Sequence, residues 1–243
     1  MRTIAVAVVF LIYTILGIIL HPIMYIIGKC KGDAAKAKAS QKLIAGVFKV
    51  FLFVSGVKVD VIGLERVPRD QASLFVFNHR SYFDILIGYS TVPVPVGFVA
   101  KKEMEHTPVV ARWMRYMHCL FLDRDNLKEG MKTILEGVKL IKGGHSIFIA
   151  PEGTRNHEKE MLPFKEGSLM MAEKAKSPIV PVAMNNNDEI FENHFPWIHK
   201  THVVIEYCEP VYVAELPKEE KRGVTARVQK IIAETLEKNA VQP

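Results

Sequence analysis

Cysteine is scarce and scattered. Cys30, Cys119 and Cys208 are the only three in 243 residues. Their number and spacing give no disulfide framework and no paired zinc motif, a pattern that suits a reducing compartment. A Gly-x-Ser-x-Gly elbow is missing, which removes the activated serine that a serine esterase would need. His106, His145, His157, His194 and His199 stand without ligand spacing, so no metal and no cofactor is expected. Internal repeats and low-complexity tracts are also lacking. Charge is absent from the whole of residues 4–20.

That last absence shapes the N-terminus. Apolar residues make up 49% of the chain, and the mean hydropathy is +0.12. The surplus is concentrated in residues 4–20 and resumes over 22–27. A helix over residues 4–28 would be about 37 Å long at about 1.5 Å per residue, enough to cross a bilayer core. No small-x-small cleavage site follows, which argues against a removed signal peptide. His21-Pro22 interrupts the run, and proline removes a helix hydrogen bond. Lys29, Lys31, Lys36, Lys38 and Lys42 come next, a cluster that sits against anionic headgroups and stays on the cytoplasmic side. Gly32-Asp33 reads as a turn and helix cap. A second apolar stretch, residues 43–57, is interrupted by Lys49. A spanning helix followed by an interfacial one, and a two-helix hairpin within one leaflet, both fit. The expected location is the cytoplasmic membrane, with the remainder of the chain facing the cytoplasm.

From Val57 the pattern changes. Strands are predicted over 58–62, 73–77, 96–100, 119–122, 146–150, 179–184 and 202–207, with Pro181 suggesting an edge or a bulge in the sixth. Helices are predicted over 108–117, 126–142, 166–176 and 218–238, and Gly143-Gly144 closes the second. This alternation predicts an α/β fold: a mixed, largely parallel sheet flanked by helices, with an N-terminal two-helix membrane element. On this reading residues 1–57 form that element and 58–243 the α/β domain.

Polar groups gather where strands end. Asn78-His79-Arg80-Ser81-Tyr82-Phe83-Asp84 follows an apolar strand and leads into a helix. If the chain turns there, Asp84 accepts a bond from one ring nitrogen of His79, fixing the tautomer while the other nitrogen takes a proton. That is a general base with no nucleophile of its own, so the nucleophile belongs to the substrate. Lys101, Arg124 and the run Pro151-Glu152-Gly153-Thr154-Arg155 end three further strands. In open α/β sheets ligands bind beyond the carboxyl ends of strands. Lysine and arginine there suit a phosphate, and a turn glycine lets the backbone approach a ligand.

The first of these runs resembles the His-x4-Asp block of the glycerolipid acyltransferases. Phe121-Leu122-Asp123-Arg124, Pro151-Glu152-Gly153-Thr154-Arg155 and Ile179-Val180-Pro181-Val182 are similar to that family's second, third and fourth blocks, in the same order. The N-terminal apolar pair looks like the membrane-binding element of the bacterial 1-acylglycerol-3-phosphate acyltransferases, the PlsC type. One departure is His118-Cys119, where many members have glycine. The resemblance implies acyl transfer from acyl-CoA or acyl-carrier protein to the 2-hydroxyl of lysophosphatidate. It makes His79 the base, Asp84 its orienting group and Lys101, Arg124 and Arg155 the phosphate ligands. Glu152, Gly153 and Thr154 belong to the acceptor site. Backbone amides near the motif are the expected oxyanion donors.

The implied partners are lysophosphatidate, an acyl donor and anionic membrane phospholipid. The net charge of +6 also suits nucleic acid, but the lysines cluster beside the apolar helix, where lipid is the simpler partner. Two alternatives remain: another lysolipid acceptor, or a membrane lipid-binding protein without catalysis.

Overall fold

The structure is a computed structural model that describes residues 1–158 and 160–240. Residues 159 and 241–243, assigned above to the α/β domain, lie outside the described residues.

Helix α1 (Arg2–Lys31) runs unbroken through Pro22. It is long and apolar enough to cross a membrane, and its most apolar window is 0% buried. Gly32 turns the chain at φ 86°, and α2 (Asp33–Ser55) folds back along α1. Gly56 ends α2 in the left-handed region at φ 74°, the usual glycine cap. The strands and helices then follow in order: β1 (Lys58–Ile62), β2 (Leu74–Phe77), α3 (Phe83–Thr91), β3 (Val96–Lys101), α4 (Pro108–Tyr116), β4 (Leu120–Leu122), α5 (Leu127–Lys142), β5 (Ser146–Ile149), α6 (Met170–Ala175), β6 (Ile179–Asn185), β7 (His202–Tyr207), α7 (Lys218–Lys221) and α8 (Val224–Lys238).

Among the described residues seven strands form one sheet in the order β1-β7-β6-β2-β5-β3-β4. Every pairing is parallel except β6 with β7. Strand β2 lies at the centre, and its buried side chains alternate between two cores. Phe75 and Phe77 join the core under α2 and α3, where Phe75 and Phe98 each stack on Phe148 at 4.7 Å. Leu74 and Val76 face the other core, built from α5, α6 and α8 through Val138, Met171 and Val228. A fully apolar strand of this kind needs helices on both sides, because neither face can be left to water.

Some boundaries differ from the sequence expectation. Pro181 lies in an interior strand, not at an edge. The β6–β7 ladder begins at Val182, so Pro181 stands just outside it and its missing N–H removes no bond from that ladder. The 166–176 segment opens as a tight 3-10 turn and is α-helical only over α6. The last helix is broken at Arg222-Gly223 into α7 and α8. His118, before β4, holds a left-handed φ of 56°. Its carbonyl oxygen would collide with a Cβ placed on Gly97, so β3 approaches this turn only because it carries glycine there.

Candidate active site

Strands β2, β3, β4, β5 and β6 run parallel, so their carboxyl ends share one edge of the sheet. The turn between β2 and α3 stands at its centre. His79 Nδ1 lies 2.7 Å from Asp84 Oδ2. The carboxylate is wholly buried, while the imidazole keeps some exposure. The same oxygen accepts the backbone N–H of Arg80 at 2.9 Å and of Ser81 at 3.0 Å. Asn187 donates to the other oxygen, Oδ1. A carboxylate held this firmly against Nδ1 selects the tautomer whose Nε2 can accept a proton.

The backbone of His79 is gripped from the β5 side. Glu152 Oε1 accepts its N–H at 2.8 Å, and the N–H of Asn156 donates to its carbonyl at 2.7 Å. The second oxygen of Glu152 accepts the N–H of Leu162 at 3.0 Å. Burial pushes the Glu152 carboxyl up from the ordinary range, and the two backbone donors work against that rise. Asn78 anchors the other side through two 2.9 Å bonds to the backbone of Met184 on β6. Glu192 accepts from the Ser81 hydroxyl at 2.6 Å and from the Tyr82 N–H at 2.8 Å.

The backbone of the motif is tightly bonded. The backbone N–H groups from His79 to Asp84 are all engaged: with Glu152, with Asp84 twice, with Glu192, with the Ser81 hydroxyl and with the Ser81 carbonyl. These amides shape the turn.

The cations fall into two groups. Lys101 and Arg124, at the ends of β3 and β4, line one open cavity of about 320 Å³ that also carries Lys102 and His106 and the carboxylates of Glu103, Asp123 and Asp125. Lys101 also pairs with Glu103 at 2.7 Å. Strand spacing of about 4.8 Å puts β4 roughly 14 Å across the sheet from β2. Arg155 belongs to the His79 side. Its guanidinium lies 3.6 Å from the centre of the Tyr82 ring, Nη2 donates to the Tyr82 hydroxyl at 2.9 Å and Nη1 to Glu192 at 3.3 Å. Gly153 takes a φ of 76° beneath the Lys165 side chain, a backbone shape that glycine adopts without strain. Thr154 is exposed beside it.

The acyltransferase family model matches residues 58–185. That span is more than half of the chain, and it runs from β1 to the end of β6 with the His79–Asp84 turn inside it. The chain belongs to the acyltransferase family. A 1-acyl-sn-glycerol-3-phosphate acyltransferase of Borreliella burgdorferi is 28% identical over 195 residues, covering 80% of this chain and 78% of that protein. One from Bacillus subtilis is 31% identical over 143 residues, covering 58% of this chain and 69% of that protein. The crystal structure of the acyltransferase PlsC from Thermotoga maritima is 24% identical, with a TM-score of 0.74 and full coverage of both chains, so the two share a fold.

Three groups that hold the turn escape a reading of this acyltransferase's sequence. Asn156, Asn187 and Glu192 bond the turn directly, yet none stands next to it in the chain. One signal for Asn187 is present. Strand β6 runs into Asn185-Asn186-Asn187, polar residues at the same sheet edge as His79. Glu192 opens a short 3-10 turn, Glu192–His194, beyond β6 and carries no comparable signal.

Proposed function

We propose that this acyltransferase moves a fatty acyl group from acyl-CoA or acyl-carrier protein to the 2-hydroxyl of lysophosphatidate, giving phosphatidate. The names of its relatives support the acceptor. The observation that carries the chemistry is the 2.7 Å contact between His79 Nδ1 and the buried Asp84. Nε2 of His79 takes the proton of the hydroxyl as its oxygen attacks the thioester carbon. The tetrahedral intermediate collapses by breaking the carbon–sulfur bond. The thiolate leaves and receives the proton from His79, so the base is restored. Asp84 orients the ring and stabilises its charged form.

Lys101 and Arg124, which share a cavity, take the substrate phosphate as a point charge and a planar fork. Arg155, held between Glu192 and Tyr82, is the third cation on the acceptor's side. Glu152 and Gly153 shape the acceptor site, Glu152 by fixing the backbone of His79, with Thr154 at its rim. The chemistry as written draws on no cofactor.

Residues 1–57 form the membrane-binding element and the remainder the acyltransferase domain. Helix α1 is about 45 Å long by its rise per residue and touches the rest of the protein at several levels. Thr3 accepts from the Ile198 N–H at 2.9 Å, Val6 packs on the core, and the Gly17 carbonyl accepts from Trp113 Nε1 at 3.3 Å. A helix held lengthwise against a domain that faces water lies along the membrane, so α1 is read as embedded in one leaflet and not as crossing it. The lysines after α1 favour the cytoplasmic leaflet.

The test is a thiol-release assay on purified protein in detergent, with palmitoyl-CoA and a panel of lysolipids. Release with lysophosphatidate that is lost in His79→Ala supports the reading. Full turnover in His79→Ala overturns the base. Release only with a different lysolipid replaces the acceptor. Arg155→Ala and Lys101→Ala should raise KM for lysophosphatidate more than for the donor; equal effects on both remove these residues from phosphate binding.

A further inference from the structure

Two large aromatic side chains face solvent on the loop before β7. Phe195 is 75% and Trp197 58% exposed. They are not a frayed end. Trp197 N–H donates to the His194 carbonyl at 2.8 Å and His199 N–H to the Ile190 carbonyl at 2.9 Å, while Ile198 between them is buried in the core. The Phe195 ring rests edge-on against Phe191, with ring centres 5.5 Å apart. The chain thus holds two aromatic rings outward from a bonded turn.

The Ile198 N–H bond to Thr3 sets this loop against the N-terminal end of α1. The outward side of α1 begins at once with Ile4 and Val8, both more than half exposed. The C-terminal end of α2 reaches the same corner, where Phe53 is 82% exposed. Arg2 and Lys200 both pack over Gly56 there. Exposed apolar groups from three separate segments, one of them α1, therefore lie near one corner of the molecule, where Arg2 and Lys200 also stand.

We propose that the Phe195-Pro196-Trp197 loop is a lipid-contacting element of the catalytic domain, its rings entering the boundary between headgroups and acyl chains of an anionic membrane. The proposal rests on the membrane reading of α1 given above. Aromatic rings are favoured at that depth, and basic side chains beside them meet anionic headgroups. The nearness of this apolar patch to α1 commits it to a lipid surface.

The loop also reaches the chemistry. Glu192 lies three residues before Phe195 and holds Ser81, Tyr82 and Arg155. Seating the rings in the membrane brings the His79 turn to the surface, where an acceptor has its tail in the leaflet and its hydroxyl in water.

The chain has two tryptophans, and Trp113 is buried against α1, so fluorescence can separate them. The full chain is mixed with vesicles of phosphatidylglycerol and phosphatidylcholine, with bromine on the upper acyl chain of the phosphatidylcholine. Binding is read independently by pelleting. Trp113→Phe reports Trp197 alone, and Trp197→Leu reports Trp113 alone; unchanged circular dichroism in both shows that the fold is kept. The expected result is a blue shift and bromine quenching of Trp197 on binding. A Phe195→Ser/Trp197→Ser variant should partition roughly tenfold less strongly, since interfacial binding scales with the apolar area buried. Protein that pellets while Trp197 stays unquenched overturns the loop's role and leaves the reading of α1 standing. Protein that does not pellet overturns both. A Trp197 shift that follows protein concentration without vesicles assigns the patch to self-association and also overturns the proposal.

Discussion

Asp84 Oδ2 accepts from His79, Arg80 and Ser81, and Asn187 donates to Oδ1. Asp84→Asn keeps the size of this side chain but places an amide N–H₂ where only acceptors fit. Activity is expected to fall roughly 10³-fold, within the range for losing effective base catalysis. Binding to vesicles should not change. Steady-state kinetics of thiol release beside a pelleting assay check both. Glu152→Gln is similar in kind. Both carboxylate oxygens accept backbone N–H groups, so one bond becomes a donor facing a donor. The buried unpaired N–H should destabilise the fold by about 1–3 kcal/mol. Because one of the two bonds ends on His79, kcat should fall more than KM rises. A thermal melt together with full kinetics separates the two effects.

Secondary elements meet at a histidine pair beside the sheet. His145, just before β5, has its pKa pushed down to about 4, first by burial and then by the nearby His118, with the Met117 carbonyl and Asp33 acting against the shift. The ring centres lie 4.6 Å apart, and His145 Nε2 is 3.1 Å from the Met117 carbonyl. In the unfolded chain an imidazole titrates at about 6.5. Between that value and about 4 the unfolded state binds more protons than the folded state, so stability rises with pH across this window. The contribution is fully present above pH 6.5 and declines as the pH falls to about 4. The loss is roughly 3 kcal/mol at about 1.4 kcal/mol per pKa unit. Melting temperature measured across this range should show it, and His145→Gln should flatten the profile. An equal slope in both proteins would assign the effect to other groups.

For the whole molecule, the N-terminal pair has two unlike halves. The outward side of α1 is open to its surroundings, whereas α2 places Leu52 in the main core and packs Ile44 and Phe48 against it. A fully buried side chain of this kind contributes about 2 kcal/mol, so losing one buried and two partly buried ones removes up to about 6 kcal/mol, a large share of a domain stability of roughly 5–15 kcal/mol. Removing residues 1–31 should leave a folded acyltransferase that partitions weakly to vesicles. Removing residues 1–57 should leave a chain that aggregates or melts without cooperativity. Circular dichroism melts of both truncations in detergent test this. A stable, cooperative product from the longer deletion would show that α2 is an appendage and not part of the core.

The features legible in the amino-acid order alone are local ones. His79 and Asp84 are five residues apart on a strand-to-helix turn, and a single turn is short enough for spacing to bring an imidazole to a carboxylate. The α/β alternation was legible for the same reason, since periodicity acts over a few residues: the helix expected from residue 126 is α5, and the structure adds that Asn126 caps it, accepting from Lys128 and Glu129. Pro181 misled because the bias against proline in interior strands takes no account of where a ladder begins. Packing between distant segments decided the rest. It placed β2 between β5 and β6 and turned Glu152 onto the backbone of His79. It brought Asn187 and Glu192 to the turn from more than a hundred residues away. It also laid α1 against Trp113 and Ile198. Those positions follow from burying two apolar faces of one sheet at once, a condition satisfied only by the whole chain.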